Sequence, residues 1–197
     1  MSENKIGDLN GIVLCGGRSK RMGKEKGLCL LKEKPMITYA IDLCNRFCNS
    51  IIIGANNPDY ISFGYPVIND EIAGIGPLGG IYTCLKSSPS DDNFILSCDI
   101  PLVSLELVQF ILSKREKYEV VIPVFNGFLE PLCAYYNRSI VLGLENAIEK
   151  KSYKIQDVLK SLNTRYLEID SSLEFYHEHL FANINSQNEL NEIEKHL

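Results

Sequence analysis

Histidine is nearly absent from this chain: His177, His179 and His196 are the only three, all in the polar last quarter. There is no HExxH, no GxSxG and no catalytic cysteine–histidine pair, so zinc hydrolysis and triad chemistry have no residues to use. CxxC is missing as well. The seven cysteines are an odd number lying mostly inside apolar runs, which excludes a zinc ribbon or dithiol redox motif and reads as reduced core thiols. No apolar run is long enough for a signal peptide or membrane span, and the opening MSENKIGD is polar, so a cytoplasmic protein is expected. Nor is there an excess of positive charge. The formal charge of −5, from 20 basic and 25 acidic residues, argues against a general nucleic-acid or anionic-membrane binder.

What is present suits one soluble α/β unit. A length of 197 residues, 45% of them hydrophobic and 23% charged, supports one domain over 1–197 with a sizeable core. Residues 1–8 are expected to form a flexible N-terminus. The charge is uneven. Arg18 to Lys34 holds seven basic residues against Glu25 and Glu33, a local +5 that leaves −10 elsewhere. A cationic patch on an acidic protein fits a small anion.

Strand-like and helix-like runs alternate. Apolar or β-branched runs at 11–15, 50–54, 65–68, 93–98, 119–124, 132–136 and 164–169, and a shorter one near 181–184, read as strands. Helical spacing or capping marks 36–48, 78–87, 105–116, 138–149 and 154–161. Ser186 with Glu189 forms a capping box for a last helix. Continuous apolar strands separated by helices predict a mostly parallel mixed sheet covered on both faces, a three-layer α/β/α Rossmann-like fold. In such sheets ligands sit outside the carboxyl ends of the strands.

After the first strand comes Leu14-Cys15-Gly16-Gly17-Arg18-Ser19-Lys20-Arg21-Met22-Gly23-Lys24-Glu25-Lys26. Adjacent glycines let backbone N–H groups approach an anion, and five basic side chains follow. The loop reads as a triphosphate cradle. It is not a P-loop, because Arg18 and Glu25 stand where that motif needs glycine and serine or threonine. Asp99, directly after FILSC, is a carboxylate at a strand end and suits a Mg²⁺ ligand that shares the ion with substrate phosphates.

The pattern LxGGxSxRMGxxK resembles the signature loop of nucleotidyltransferases, and the chain is similar to the molybdenum cofactor guanylyltransferases, the MobA family. KGLCLLKEKPMITYAID, GPLGGI, FILSCDIP, EPLCAYY and FANINSQNEL resemble further family blocks in the same order. The resemblance implies a Rossmann-like nucleotidyltransferase fold and transfer of GMP from GTP to molybdopterin with Mg²⁺. Molybdoenzyme maturation proteins would be partners beyond the two substrates. It also implies that Leu14, Cys15, Gly16 and Gly17 hold the nucleotide, that Lys26 holds its phosphates, and that Arg21 stabilises departing pyrophosphate. Asp70 would contact the nucleotide. Gly54 stands where the family often has asparagine, with Asn56 nearby as the candidate replacement. The NxN block makes Asn183 a second candidate for the metal, whereas Asn185 reads equally well as a turn amide. Glu130-Pro131 is a candidate for the pterin side with no chemistry assigned.

Other readings remain at this point. One is a relative using CTP or acting on a sugar phosphate; another is a non-catalytic nucleotide-binding regulator, which the presence of Lys26 and Asp99 disfavours. A third, an NAD-dependent oxidoreductase, rests on Gly74-Ile75-Gly76-Pro77-Leu78-Gly79, which fits GxGxxG with Asp99 following at the right distance. Pro77, however, removes an N–H where a pyrophosphate needs donors.

Overall fold

The computed structural model describes residues 7–16 and 25–194. Most of the expected N-terminal flexible segment, and Gly17 to Lys24 with the bulk of the basic loop, lie outside the described residues.

The first strand, β1 (Leu9–Leu14), is buried along its whole length. A small hairpin, β2 (Leu30–Leu31) and β3 (Lys34–Pro35), leads into α1 (Met36–Asn45). β4 (Ser50–Gly54) and the short β5 (Val67–Ile68) precede α2 (Pro77–Ser87). Then follow β6 (Asp92–Ser97), α3 (Leu105–Leu112), β7 (Val120–Phe125), β8 (Phe128–Leu129) and β9 (Cys133–Asn137). α4 (Val141–Glu149), α5 (Ile155–Leu159), β10 (Thr164–Ile169) and α6 (Gln187–Ile193) complete the chain.

The main sheet runs β10-β7-β9-β6-β1-β4-β5, with β8 paired to β7. β1 is parallel to both β4 and β6, and β9 alone on this path runs antiparallel, between β6 and β7. Period-two alternation sends successive side chains to opposite faces. Val13, Phe94 and Leu96 pack with α1 and α3 on one face; Ile12, Leu14 and Ile95 pack with α2, α4 and α5 on the other. The mostly parallel, doubly covered sheet expected from the sequence is therefore present.

Two details differ from expectation. The β2–β3 hairpin was not foreseen, because two-residue strands carry no periodicity. Its turn sets Lys32 and Glu33 at φ 45° and 65°. Conversely, 181–184 is no strand. Its buried residue, Ile184, belongs to a third, smaller apolar cluster with Leu31, Met36, Leu102, Leu190 and Ile193. That cluster pins α6 and the segment before it onto the start of α1.

Candidate active site

Register brings Leu14, Gly54 and Ser97 level at the carboxyl ends of β1, β4 and β6, since Leu14 is paired with Gly54 on one side and Ser97 on the other. Above them opens a cleft of about 630 Å³ lined by these three with Gly16, Asn56, Asp70, Gly76, Gly80 and Leu132, among others. Of the residues singled out from the sequence, Leu14, Gly16, Gly54, Asn56 and Asp70 thus meet in one cavity. Asn56 and Asp70 hold each other reciprocally. Asn56 Nδ2 donates to Asp70 Oδ2 at 3.1 Å, and the Asp70 amide donates to Asn56 Oδ1 at 2.9 Å.

The cleft depends on missing side chains. A Cβ at Gly54 would stand 2.6 Å from both Cys84 Sγ and Leu14 Cδ2, so the asparagine that the resemblance would place here has no room. Gly76 opens α2 with φ 68° and ψ −155°, a conformation open essentially to glycine alone. The GxGxxG run therefore serves as one wall of the cleft rather than following directly on a strand end.

Beside the cleft lies a charged cluster. Asp99 follows β6 and is buried, 8% exposed. Lys26 Nζ approaches its Oδ2 at 3.0 Å, and Ser97 Oγ donates to its Oδ1. The same Lys26 ammonium donates to Asn185 Oδ1. Lys26 sits on a single 3₁₀ turn, Lys26–Leu28. The next residue, Gly27, allows close passage, since a Cβ there would meet Tyr60 Oη at 2.7 Å and Cys98 Sγ at 3.2 Å. Ser97 links the two halves of the site: it lines the cleft and holds Asp99.

Cys15 is not among the residues that line the cleft and is buried in the α1 and α3 face. Burial first, then its contact with Cys98, pushes its thiol well above the ordinary value. Glu130, half-buried just after β8, is pushed up to about 7, chiefly by burial and next by the charge of Asp99. Asn183 stands apart. It is exposed and lines a separate shallow groove with His179 and Glu192. Gly17 and Arg21 lie outside the described residues. Ser97 was the residue not singled out; Asn185, left open between the site and a turn amide, lies on Lys26. The signal for Ser97 was a small polar side chain two positions before Asp99, at the end of an otherwise apolar strand.

The donors presented by Asp99, Ser97 and Asn185 are hard oxygens, which suit a Mg²⁺-like divalent cation. Among the described residues no group of three or more His, Cys, Asp or Glu could hold a metal. A cation at Asp99 would therefore complete its shell with water and substrate oxygens, the usual habit of Mg²⁺. No helix among the described residues is long and apolar enough to cross a membrane.

A family model described as a MobA-like NTP transferase domain matches residues 11–166. A protein of Flavobacterium johnsoniae named "Probable molybdenum cofactor guanylyltransferase" is 38% identical over 94% of this chain and 96% of its own length. A protein of the same name from Thermococcus gammatolerans is 35% identical over 94% and 98%. Among solved structures, molybdopterin-guanine dinucleotide biosynthesis protein A from Archaeoglobus fulgidus superposes with a TM-score of 0.79 at 27% identity, covering 94% of this chain and 97% of that one.

Proposed function

Because the chain belongs to the MobA-like NTP transferase family, we infer that it transfers GMP from GTP to the phosphate of molybdopterin, giving molybdopterin guanine dinucleotide and pyrophosphate. The observation that carries this reading is the junction at Ser97. It joins a cleft of nucleoside size, closed at one side by the Asn56–Asp70 pair, to a lysine–aspartate pair suited to phosphates and a cation. Molybdoenzyme maturation proteins as further partners, and a cytoplasmic location, belong to the same reading.

The chemistry asks little proton transfer of the protein. A phosphate monoester has a second pKa of about 6, so the attacking oxygen is already ionised at neutral pH. It forms a bond to the α-phosphorus while the bond to the bridging oxygen breaks and pyrophosphate departs. Such a displacement needs alignment and charge neutralisation. In this reading Leu14, Cys15, Gly16, Gly17, Gly54, Asn56 and Asp70 would hold the nucleotide. Lys26 would neutralise the phosphates, and Arg21 would stabilise the departing pyrophosphate. Asp99 would hold the Mg²⁺, which when bound would supply Lewis-acid charge neutralisation; Asn183, in its separate groove, is not placed to share it.

The test is direct. Purified protein receives labelled GTP, CTP or ATP with MgCl₂, with and without molybdopterin, and pyrophosphate release is followed. Release that needs both GTP and molybdopterin supports the reading. Preference for CTP, or turnover only with a sugar phosphate, replaces it.

A further inference from the structure

Asn185, which touches Lys26, sits in a segment with neither helix nor strand, so no ladder of hydrogen bonds fixes where its side chain points. What fixes it comes from the residues on either side. The Ile184 amide donates to the Asp99 carbonyl at 2.9 Å, and the Ile184 side chain is fully buried in the small apolar cluster. The Asn185 amide donates to Glu189 Oε2 at 2.6 Å. Glu189 is itself tethered, because its own amide donates to Ser186 Oγ at 3.3 Å. Capping the helix would need only the Ser186 end of this arrangement. The carboxylate takes the Ser186 hydroxyl and N–H as well, and reaches one residue further back, to the residue that holds the lysine.

We propose that Glu189 is a positioning residue for the active site: by gripping the Asn185 amide it keeps Asn185 Oδ1 on the Lys26 ammonium. The proposal deepens the phosphate-binding role given to Lys26 above and rests on that reading. An ammonium has three N–H donors. Among the described residues, one goes to Asp99 and one to Asn185, so these two acceptors set the direction of the third, the one left for a phosphate oxygen. Released from Glu189, Asn185 could swing with its loop, and the ammonium would rotate about Asp99 alone. A hydrogen bond to a carboxylate is roughly twice as strong as a neutral one, and Glu189 also feels the positive charge of Lys26.

The experiment compares Glu189→Ala, Glu189→Gln, Ser186→Ala, Asn185→Ala and the double variant Glu189→Ala/Asn185→Ala. Four quantities are read: kcat and KM for GTP, the thermal midpoint, and the acylation rate of Lys26 by acetic anhydride, followed by mass spectrometry. Glu189→Ala is expected to lower kcat about tenfold, the usual scale for a residue acting through its neighbour, and to speed Lys26 acylation. Glu189→Gln, whose amide oxygen accepts the same N–H, should stay close to wild type on both. Ser186→Ala should lower the thermal midpoint without changing Lys26 acylation. The double variant should be no slower than Asn185→Ala alone, since the two act as one unit.

Losses that multiply in the double variant overturn the proposal. So does a Glu189→Ala protein that melts earlier while its kcat and Lys26 acylation are unchanged. Should Glu189→Ala not fold, Lys26 acylation in Glu189→Gln against Ser186→Ala decides: Lys26 exposed by the cap loss of Ser186→Ala also overturns it. Acylation needs no substrate, so a wild-type protein that transfers no GMP to molybdopterin would refute the reaction and leave the positioning question answerable.

Discussion

Lys26 Nζ stands 3.0 Å from Asp99 Oδ2, with side-chain exposures of 16% and 12%, so in the absence of substrate each of the two charges is neutralised by the other. Breaking a pair this buried by removing one partner leaves an uncompensated charge, at a cost of about 3–5 kcal/mol. Activity and stability must therefore be read separately at these positions.

Asp99→Asn keeps an oxygen for Lys26 and a side chain of the same shape while removing the carboxylate. GMP transfer is expected to fall at least about a hundredfold, the scale of losing one charge-stabilising group. Its thermal midpoint should drop less than that of Asp99→Ala. Steady-state kinetics beside a melting curve check both, and near-normal turnover in Asp99→Asn would end the assignment of a cation to this residue.

Lys26→Ala leaves Asp99 without its counter-charge. Turnover should collapse and the melting temperature should fall. Because any ligand that binds only the folded state stabilises it, added MgCl₂ should restore part of that loss in the variant and do much less for wild type. A magnesium titration by differential scanning calorimetry, without nucleotide, reads the difference.

Gly54→Ala introduces a methyl group 2.6 Å from Leu14 and Cys84. Overpacking of this kind costs about 1–3 kcal/mol. Leu14 lines the cleft, so displacing it should also raise KM for GTP while kcat changes less. Urea denaturation and initial-rate kinetics test the pair of effects; unchanged stability would mean that Leu14 and Cys84 move aside freely.

Glu130 ionises near 7 in the folded protein against an ordinary 4.5. The unfolded chain therefore loses this proton first. Stability contributed by the protonated form is complete below about 4.5 and is lost as pH rises through about 7. Glu130→Gln should melt like wild type at pH 4 and later than wild type at pH 8. A difference that does not grow with pH would show that the carboxyl ionises freely in the fold.

Much of this was legible in the sequence, for physical reasons that also explain the misses. β1, β4 and β6 are buried on both faces and carry long apolar runs, and residues just after β1 and β4 line the cleft. The 181–184 run is mostly apolar too, but Ile184 buries itself in a side cluster and its amide bonds to the Asp99 carbonyl. A strand would have put Asn183 and Asn185 on one face. In the loop they diverge, one exposed and one on Lys26. Ser97 escaped notice because its polarity matters only through its register with Leu14, a long-range fact that no local pattern encodes.

The small cluster of Leu31, Met36, Leu102, Ile184, Leu190 and Ile193 also sets an order of events during synthesis. Every strand of the main sheet is made before Ile184 emerges, so the sheet, the cleft and the Lys26–Asp99 pair can all form on a nascent chain. Asn185 cannot reach Lys26 until α6 has left the ribosome and docked. Until then Asp99 is the acceptor in place for the lysine, and the second acceptor arrives with the docking of α6.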